Sequence, residues 1–540
     1  MPVYKTKVDS SSNDFKKNNQ DMIKLIEKMV EIQSRAERLS EERRPRFIER
    51  GQLTPRERIS ALIDPGMPFV ELYNMINYLI DDNNRETSVP GGSVIAGIGF
   101  INGVRCMIFV DDSGINAGAA TEKSIDKALG CLDISIRQKL PFVHLVESAG
   151  VNLMNYTVEF WARFGGMFHG LAKLSAAGIP TIAVLHGFST AGGAYQPGMS
   201  DYVIGVKKNG MAALAGPALL KAATGEIASN EELGGSEMHA SVSGLVEYLA
   251  DDDVHALQIT REVIEKLDWN LKCERPKSFS INNPVYKTNE IIGIVPNDYK
   301  TPYEVRELIA RVVDGSDFID FKPLYGKTTV CVQAKIYGQS CGIISNNGPI
   351  DPNGATKVTQ FIQLCGQSSI PLVFLSNTTG FMVGKEYERL GMIKHGAKMI
   401  QAVSNVDVPK ITIYIGASFG AGNYGMCGYA YKPDFLFSWP SAVTGVMGGE
   451  QAAKTMEQVM TASAKRKGVK IDSKKMNKKL KEIIEHFDSQ ADAFCTSGRG
   501  LDNGIIDPRD TRKILGFTLE TCWEKSHRKL IPNSFGIARM

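Results

Sequence analysis

A chain of 540 residues exceeds the usual size of one domain, so two or more folded domains are expected. Hydrophobic residues make up 43% and charged residues 22%, which excludes a disordered or fibrous protein. The formal net charge is only +3, so overall charge favours neither a nucleic acid nor an anionic membrane as a partner.

The amino-terminal region is predicted to form a helical extension over residues 1–50. Residues 1–20 are polar and show neither an apolar signal segment nor an arginine-rich import segment. Residues 21–44 then carry apolar side chains at helical spacing and end before Pro45. This pattern is typical of an amphipathic helix with one face in solvent.

From about residue 93 onward, short apolar runs alternate with helical patterns, which predicts an α/β fold. The most apolar runs are far shorter than the ~20 residues that span a bilayer. Nine cysteines are scattered from Cys106 to Cys522, without a C-x-x-C motif or a Cys/His cluster at metal-ligand spacing. We therefore expect reduced thiols, no metal site, no membrane segment and a cytoplasmic location.

The chain contains an internal repeat with a period close to 230 residues. Residues 145–150 (LVESAG) recur as 375–380 (LSNTTG), and residues 179–187 (IPTIAVLHG) recur as 408–416 (VPKITIYIG). Matches in one order and nearly one register predict a duplicated chain, with each copy forming one domain.

We divide the duplicated part into an amino-terminal domain, 51–280, and a carboxy-terminal domain, 281–540. Each copy carries a Gly-rich turn at the same point, 187–195 (GFSTAGGAY) and 416–424 (GASFGAGNY). Small residues here let a substrate oxygen approach two backbone N–H groups, as an oxyanion hole requires. Tight packing of a strand on a helix is the alternative explanation, and the duplication favours the oxyanion site.

These turns carry no recognisable nucleophile. Ser189 and Thr190 do not lie in a triad sequence, and the sequence has no G-x-S-x-G, P-loop or H-E-x-x-H motif. A mechanism that uses backbone amides fits better, and it suggests enolate chemistry on a thioester.

Several short segments match one known family in the same order along the chain. They are 53–65 (LTPRERISALIDP), 190–195 (TAGGAY), 221–226 (KAATGE), 232–239 (ELGGSEMH), 379–384 (TGFMVG), 394–398 (KHGAK), 420–424 (GAGNY), 446–453 (VMGGEQAA) and 502–512 (DNGIIDPRDTR). On these segments the chain resembles the carboxyltransferase (beta) subunits of biotin-dependent acyl-CoA carboxylases. Within that family it is most similar to the 3-methylcrotonyl-CoA and geranyl-CoA types.

The resemblance implies a tandem pair of crotonase-like domains, each a ββα superhelix. It implies that Gly192 and Gly193 polarise the acyl-CoA thioester, and that Ala421 and Gly422 hold the ureido oxygen of biotin. It also implies the following residues as neighbours that bind acyl-CoA or biotin: Ala149, Gly150, Ala191, Ala194, Thr379, Gly380, Phe381, Gly420 and Asn423.

The resemblance further implies partners. The chain shows no biotin-attachment motif and no ATP-binding domain, so a separate biotin carboxylase or biotin carboxyl carrier subunit must carry the biotin. In the family, the site lies between the amino-terminal domain of one subunit and the carboxy-terminal domain of another. This implies a homodimer, or a homohexamer built as a trimer of dimers.

Two segments depart from the family pattern. Residues 147–150 read ESAG where the family usually reads DSGG, and the loop that follows has no proline. Residues 112–121 match the family only loosely. The acyl group therefore stays open between a 3-methylcrotonyl-like chain and another branched or short one.

Other residues and functions have to be weighed. His239 and His395 lie in family-like segments, although a lone histidine is more often structural. Candidates for the CoA phosphates are Lys221, Lys394 and Lys398, although helix-face lysines are usually solvated. The lysine-rich residues 465–481 predict a solvated helical face rather than a nucleic-acid site. The alternative functions are a sodium-pumping acyl-CoA decarboxylase subunit and a non-catalytic scaffold that binds acyl-CoA or a partner.

Overall fold

The computed structural model describes residues 3–151, 156–274, 280–468 and 472–537. From residue 94 onward, strands and helices alternate along the chain, which confirms the predicted α/β class. Within the described ranges, every helix is too short or too polar to cross a membrane. The same residues hold no group of three or more His, Cys, Asp or Glu side chains placed to bind a metal ion.

Two compact units divide the chain, and each contains one copy of the repeat. The amino-terminal unit comprises residues 31–276 with 521–540, and the carboxy-terminal unit comprises residues 1–30 with 277–520. The predicted domains did not include this exchange of ends: the last 20 residues of the chain belong to the amino-terminal unit, and the first 30 belong to the carboxy-terminal unit. The predicted boundary at residue 280 adjoins residues 275–279, which lie outside the described residues.

Side-chain contacts explain where the terminal segments belong. The carboxylate of Glu307 accepts hydrogen bonds from the Thr6 hydroxyl at 2.6 Å and from the Lys7 amide at 2.7 Å, both within the carboxy-terminal unit. In the amino-terminal unit, the Arg528 guanidinium lies 5.0 Å from the ring centre of Trp269 and donates to its carbonyl oxygen. Both contacts join residues far apart in the sequence, so the periodicity of apolar residues could not predict them.

The first helix, α1 (Asn13–Glu41), is the predicted amphipathic helix, and it begins earlier than the pattern indicated. Its buried residues Met22, Ile26 and Met29 are spaced three or four positions apart, as one helix face requires. Two short helices follow, α2 (Arg44–Glu49) and α3 (Pro55–Leu62). A capping box between Thr54 and Glu57 starts α3.

A mixed sheet forms the core of the amino-terminal unit. Its strands are β1 (Val70–Glu71), β2 (Val94–Ile101), β3 (Val104–Asp111), β4 (Phe142–Ser148), β5 (Thr181–Thr190), β6 (Tyr202–Val206), β7 (Met211–Ala213) and β8 (Tyr248–Ala250). They lie in the order β1-β2-β3-β4-β5-β6-β8, with β7 beside β5, and the pairs from β3 to β8 are parallel. The helices along this sheet are α4 (Glu122–Gln138), α5 (Val158–Ala176), α6 (Tyr195–Met199), α7 (Pro217–Thr224), α8 (Asn230–Gly234), α9 (Ser236–Met238) and α10 (Asp253–Lys266).

The carboxy-terminal unit has a second mixed sheet. Its strands are β9 (Phe318–Asp320), β10 (Thr329–Ile336), β11 (Gln339–Asn346), β12 (Leu372–Thr378), β13 (Lys410–Phe419), β14 (Phe435–Ser438) and β15 (Val443–Gly445). They lie in the order β14-β13-β12-β11-β10-β9, with β15 beside β13. The remaining helices are α11 (Ile291–Ile294), α12 (Val305–Val312), α13 (Pro352–Gln367), α14 (Lys385–Arg389), α15 (Met392–Asn405), α16 (Gly420–Gly425), α17 (Gly449–Lys467), α18 (Ser473–Ala491), α19 (Ala493–Gly498) and α20 (Thr511–His527).

The two sheets share one topology. An antiparallel hairpin, β2–β3 or β10–β11, is followed by three parallel strands, and a short strand pairs with the end of the middle one. The pairing register shifts after Val146 in β4 and after Ser376 in β12, 230 residues later. The duplication predicted from the sequence is therefore present in the strand order and in a local irregularity of the pairing.

A buried lysine occurs at the same place in both units. Lys127 of α4 and Lys357 of α13 each have a relative exposure of 0%. The Lys127 ammonium donates to the carbonyl oxygen of Val94 at 2.7 Å, and the Lys357 ammonium donates to that of Thr329 at 2.8 Å. Burial lowers the pKa of Lys127 to about 8 and lowers the pKa of Lys357 as well. Each lysine thus links a helix to the start of the hairpin in its own unit.

Candidate active site

The first Gly-rich turn follows the end of β5. Residues Ala191–Ala194 form a short 3₁₀ turn that leads into α6. Ala191 adopts φ +54°, a left-handed conformation that is uncommon for a residue with a side chain. Gly192 is partly exposed and Gly193 is buried. Amides in the first turn of a helix have no intrahelical acceptor, so such a turn suits an anion.

The second Gly-rich turn occupies the equivalent place after β13. Gly420 begins α16 with φ +54°, the same value as Ala191, which lies 229 residues earlier. Ala421 is exposed and Gly422 is buried. The repeat therefore extends to the backbone conformation of the turns, which residue spacing alone did not show.

A hydroxyl group orders the strand that lies beside each turn. Ser148, the last residue of β4, accepts a hydrogen bond from the Gly150 amide at 3.2 Å and donates to the carbonyl oxygen of Gly118 at 2.7 Å. Thr378, 230 positions after Ser148, likewise accepts a hydrogen bond from the Gly380 amide at 3.2 Å and donates to the carbonyl oxygen of Gly348 at 3.3 Å. Both strand ends are thus held by one side chain of the same kind.

Within each unit, the predicted site residues lie together. A Cβ built on Gly150 would lie 3.2 Å from the carbonyl oxygen of Thr190, and one built on Gly422 would lie 2.7 Å from the Cα of Gly380. Six of the residues flank the ends of β4 and β5: Ala149, Gly150, Ala191, Gly192, Gly193 and Ala194. Seven flank the ends of β12 and β13: Thr379, Gly380, Phe381, Gly420, Ala421, Gly422 and Asn423.

The side chains of two of these residues pack behind the second turn. The ring of Phe381 would lie 3.2 Å from a Cβ on Gly425 and belongs to the edge of the hydrophobic core. The Asn423 amide donates to the Ser418 hydroxyl at 2.8 Å and to the Tyr414 hydroxyl at 3.0 Å. Both side chains support the turn, and their direct contact with a substrate stays a prediction.

The two turns differ in the polar groups beneath them. Ser418 in β13 is bonded by Asn423 and lies 3.1 Å from the Ser376 hydroxyl. Its counterpart Ser189 is fully buried, and among the described residues its hydroxyl has no hydrogen-bond partner. Ala194 stands where the second copy has Asn423, which accounts for the missing donor.

Sequence reasoning missed a buried charged network under the first turn. It joins Arg58 of α3, Glu147 of β4, His186 of β5 and Asp253 of α10. Burial would raise the pKa of the Asp253 carboxyl, but His186 and Arg58 outweigh it and hold that pKa well below its usual range. Burial also lowers the pKa of His186, although the Asp253 carboxylate acts in the opposite direction. Two signals were available in the sequence: a histidine beside Gly187 in β5, and the departure of residues 147–150 from the family pattern.

The remaining sequence candidates have structural partners or lie in solvent. The His239 Nε2–H donates to the Ala212 carbonyl oxygen at 2.7 Å, and Nδ1 lies 2.6 Å from the Ser243 hydroxyl. His395 lies 2.9 Å from the Thr356 hydroxyl. These contacts fit the structural role of both histidines. Three lysines are exposed, and any contact with CoA phosphates stays a prediction: Lys221, Lys394 and Lys398.

Asp502 is a buried carboxyl in the carboxy-terminal unit. It accepts hydrogen bonds from the Ser438 hydroxyl at 2.6 Å, the Ser497 hydroxyl at 2.7 Å and the Gly504 amide at 3.0 Å. Burial raises its pKa to about 6, although these hydrogen bonds act in the opposite direction.

This burial predicts a pH dependence of stability. The unfolded carboxyl has a pKa of about 3.9, so the folded protein retains a proton that the unfolded chain releases. The stabilisation is fully present below pH ~4 and is lost as the pH rises through about 6. Over that window we expect Asp502 to contribute a fall of about 3 kcal/mol in the free energy of unfolding. Denaturant unfolding between pH 4.5 and pH 7, at ~0.5-unit steps, should show a smaller fall for Asp502→Asn, and equal falls would contradict the assignment.

Comparisons with known proteins show which family the chain belongs to. A family model described as a carboxyl transferase domain matches residues 47–537. The chain is 44% identical to a probable biotin-dependent acyl-coenzyme A carboxylase beta2 subunit of Mycobacterium tuberculosis, over 92% of this chain and 93% of that protein. It is 41% identical to the mitochondrial methylcrotonoyl-CoA carboxylase beta chain of Dictyostelium discoideum, over 99% of this chain and 90% of that protein.

A solved structure gives the same result. The beta subunit of geranyl-CoA carboxylase from P. aeruginosa is 45% identical, with a TM-score of 0.93 over 100% of both chains. This likeness confirms the predicted tandem crotonase-like fold. Because the family model and these relatives each cover nearly the whole sequence, the chain belongs to the carboxyltransferase (beta) subunits of biotin-dependent acyl-CoA carboxylases.

Proposed function

We propose that this protein transfers a carboxyl group from biotin, carried on a separate partner, to a branched acyl-CoA through a thioester enolate. The observation that carries the proposal is the pair of matched turns, in which Ala191 and Gly420 share φ +54° at equivalent strand ends. The branched acyl group is supported by relatives named for methylcrotonyl-CoA and geranyl-CoA.

In the amino-terminal unit, the turn after β5 serves the acyl-CoA. The N–H groups of Gly192 and Gly193 donate to the thioester oxygen, which carries the negative charge once the acyl group has lost its acidic C–H proton. Donors that are already in place lower the cost of forming this charge, because nothing must reorganise as it develops. Gly150 lets the end of β4 approach Thr190 closely, and a side chain at Gly150 would lie 3.2 Å from that carbonyl oxygen.

In the carboxy-terminal unit, the turn after β13 serves biotin. Carboxybiotin supplies the carboxyl group when the partner brings it to the site. The residues present fit this group, because Ala421 is exposed and its side chain is small, so the ring of biotin can approach the turn. The N–H groups of Ala421 and Gly422 then face the ureido oxygen and stabilise charge on it.

The proposed function predicts that the isolated protein does not carry out ATP-dependent carboxylation. Activity should appear when a biotinylated carboxylase partner, ATP, bicarbonate and a branched acyl-CoA are added, and it is followed by incorporation of labelled bicarbonate. The same partner without biotin is the control and should give background incorporation only. Biotin found covalently attached to this chain by mass spectrometry would contradict the proposal.

We propose a homodimer as the smallest active assembly, with the two turns of a site supplied by different subunits, and a trimer of dimers as the full one. The cytoplasmic location is supported by nine free cysteines, of which only Cys273 is not buried. The decarboxylase alternative has weaker support, since the chain is 28% identical to a methylmalonyl-CoA decarboxylase subunit alpha of Veillonella parvula and 44% identical to the mycobacterial carboxylase subunit.

A further inference from the structure

The buried charged network of the amino-terminal unit lies next to the residues that bind acyl-CoA in the proposed function. Its four members are at most 5% exposed: Arg58, Glu147, His186 and Asp253. Glu147 directly precedes Ser148, Ala149 and Gly150 at the end of β4. The network is therefore attached to the strand end itself.

Arg58 is the centre of this network. Its Nη1 lies 2.7 Å from Glu147 Oε2, and its Nε lies 2.9 Å from Asp253 Oδ2. Asp253 is held in turn by the His186 ring at 2.7 Å and by the Leu53 amide at 2.8 Å. The planar guanidinium donates in two fixed directions, which the single ammonium of a lysine cannot reproduce. Arg58 thus ties two helices, α3 and α10, to the strand end of β4.

Glu147 is confined on its other sides. A Cβ on Gly187 of the neighbouring strand would lie 2.4 Å from the Glu147 Cγ, and one on Gly118 would lie 2.2 Å from its carbonyl oxygen. The Glu147 amide donates to the Asp111 carboxylate at 3.1 Å. Because both the side chain and the backbone of Glu147 are enclosed, a displacement of this residue would be passed directly to Ala149.

The second copy of the repeat uses neutral groups at the same place. Asn377 stands in the position of Glu147, and its side-chain oxygen accepts from the Ala417 amide at 3.1 Å. Ile415 stands in the position of His186. A neutral side chain is thus sufficient to hold the strand end beside the biotin turn. At these two positions, only the amino-terminal unit carries the members of the buried charged network.

We infer that Arg58 and Glu147 are positioning residues that set the geometry of the acyl-CoA side of the reaction. A buried ion pair is weak evidence for a stabilising role, because the desolvation of both charges offsets their attraction. What the pair supplies is a fixed position for the end of β4 against the turn after β5. The inference rests on the proposed function, since it assumes that this turn binds the thioester.

The test is a pair of Michaelis constants measured in one assay. Purified protein is given a carboxylated acyl-CoA and free biotin, and transfer of the carboxyl group to biotin is followed, so the KM for each substrate reports on one side of the site. A misplacement of about 1 Å can lower a rate ~10²-fold. Arg58→Lys should therefore lower kcat/KM for the acyl-CoA by at least ~10-fold, through a higher KM, a lower kcat or both. The KM for biotin should stay within about twofold of the wild-type value.

A matched control comes from the carboxy-terminal unit. Arg311 of α12 is 1% exposed and pairs with Glu307 at 3.1 Å and Glu290 at 2.7 Å, but it does not contact a strand end of the site. Arg311→Lys should leave both KM values unchanged. Glu147→Gln keeps the shape of the side chain and provides a second variant if Arg58→Lys does not fold. It should shift the acyl-CoA KM in the same direction by a smaller factor.

Two results would overturn the inference. The first is a lower melting temperature in Arg58→Lys or Glu147→Gln with kcat and both KM values unchanged, which is what a purely structural role predicts. The second is an equal rise in both KM values, which would remove the link to the acyl-CoA side. Failure of the proposed function looks different, because the wild-type protein would then transfer no carboxyl group at all.

Discussion

Replacing Gly193 by valine should lower the rate of carboxyl transfer by at least ~10²-fold while leaving the melting temperature nearly unchanged. We expect the fold to persist because, apart from chain neighbours, a Cβ at Gly193 would meet a single atom, the Ser189 hydroxyl at 3.1 Å, which has to move by only a few tenths of an ångström. The reaction should not tolerate the change, because a branched side chain would cover the amides that we propose face the thioester oxygen. The rate is measured with saturating biotin and varied acyl-CoA.

Gly198→Val is the matched control for this prediction. Gly198 lies in α6 of the same unit, and no atom lies within 4 Å of the place where its Cβ would be. The control should retain close to the wild-type rate. If Gly193→Val keeps near wild-type turnover with unchanged melting, then the amide turn is not the site of enolate stabilisation.

The equivalent glycine of the other copy does not behave in the same way. A Cβ on Gly422 would lie 2.7 Å from the Cα of Gly380, so Gly422→Val disturbs packing as well as chemistry. Ala421 is exposed and already carries a Cβ, so Ala421→Val blocks the turn from its accessible face. Ala421→Val is therefore the better lesion for the biotin side.

A mixed dimer of Gly193→Val and Ala421→Val chains should recover about half of the wild-type rate, although each parent is inactive. In the proposed homodimer, a two-fold axis would bring the amino-terminal unit of each subunit to the carboxy-terminal unit of the other, twice per dimer. One of the two sites then carries both lesions and the other carries neither. Differently tagged chains are coexpressed, the mixed species is isolated on both tags, and its rate is compared with those of the parents.

The outcome separates two arrangements of the site. A site within a single chain would leave the mixed dimer as inactive as its parents, because every chain then carries one lesion. A dimer in which both chains carry both lesions is the control and should show no recovery. Recovery in that control would mean that wild-type chains contaminate the preparation.

The features that the sequence predicted are those that recur along it. Glycines and apolar residues repeat with one spacing, so the duplication, the two turns and the residues Gly192, Gly193, Ala421 and Gly422 were visible as patterns. The α/β class followed from the same alternation of apolar runs. Such features are local, since each turn needs only the few residues on either side of it.

The features that sequence reasoning missed depend on contacts between distant residues. Arg58 and Asp253 are 195 positions apart, and each stands in a segment that reads as an ordinary amphipathic helix. The exchange of terminal segments between the units likewise depends on the contact of Thr6 with Glu307. Nothing in the local pattern of such residues indicates their partners, because charge pairing has no period along the chain.

The two buried lysines have a practical consequence. Lys127 and Lys357 are fully buried at matched positions, so neither amine can meet a reagent in water until its own unit opens. Burial is what lowers the pKa of Lys127 to about 8, so once its unit opens the amine regains the ordinary pKa of a lysine and becomes accessible to an acylating label. Timed labelling followed by peptide mass spectrometry thus reads the opening of each half separately, and shows which half of a duplicated chain loosens first as the protein is heated.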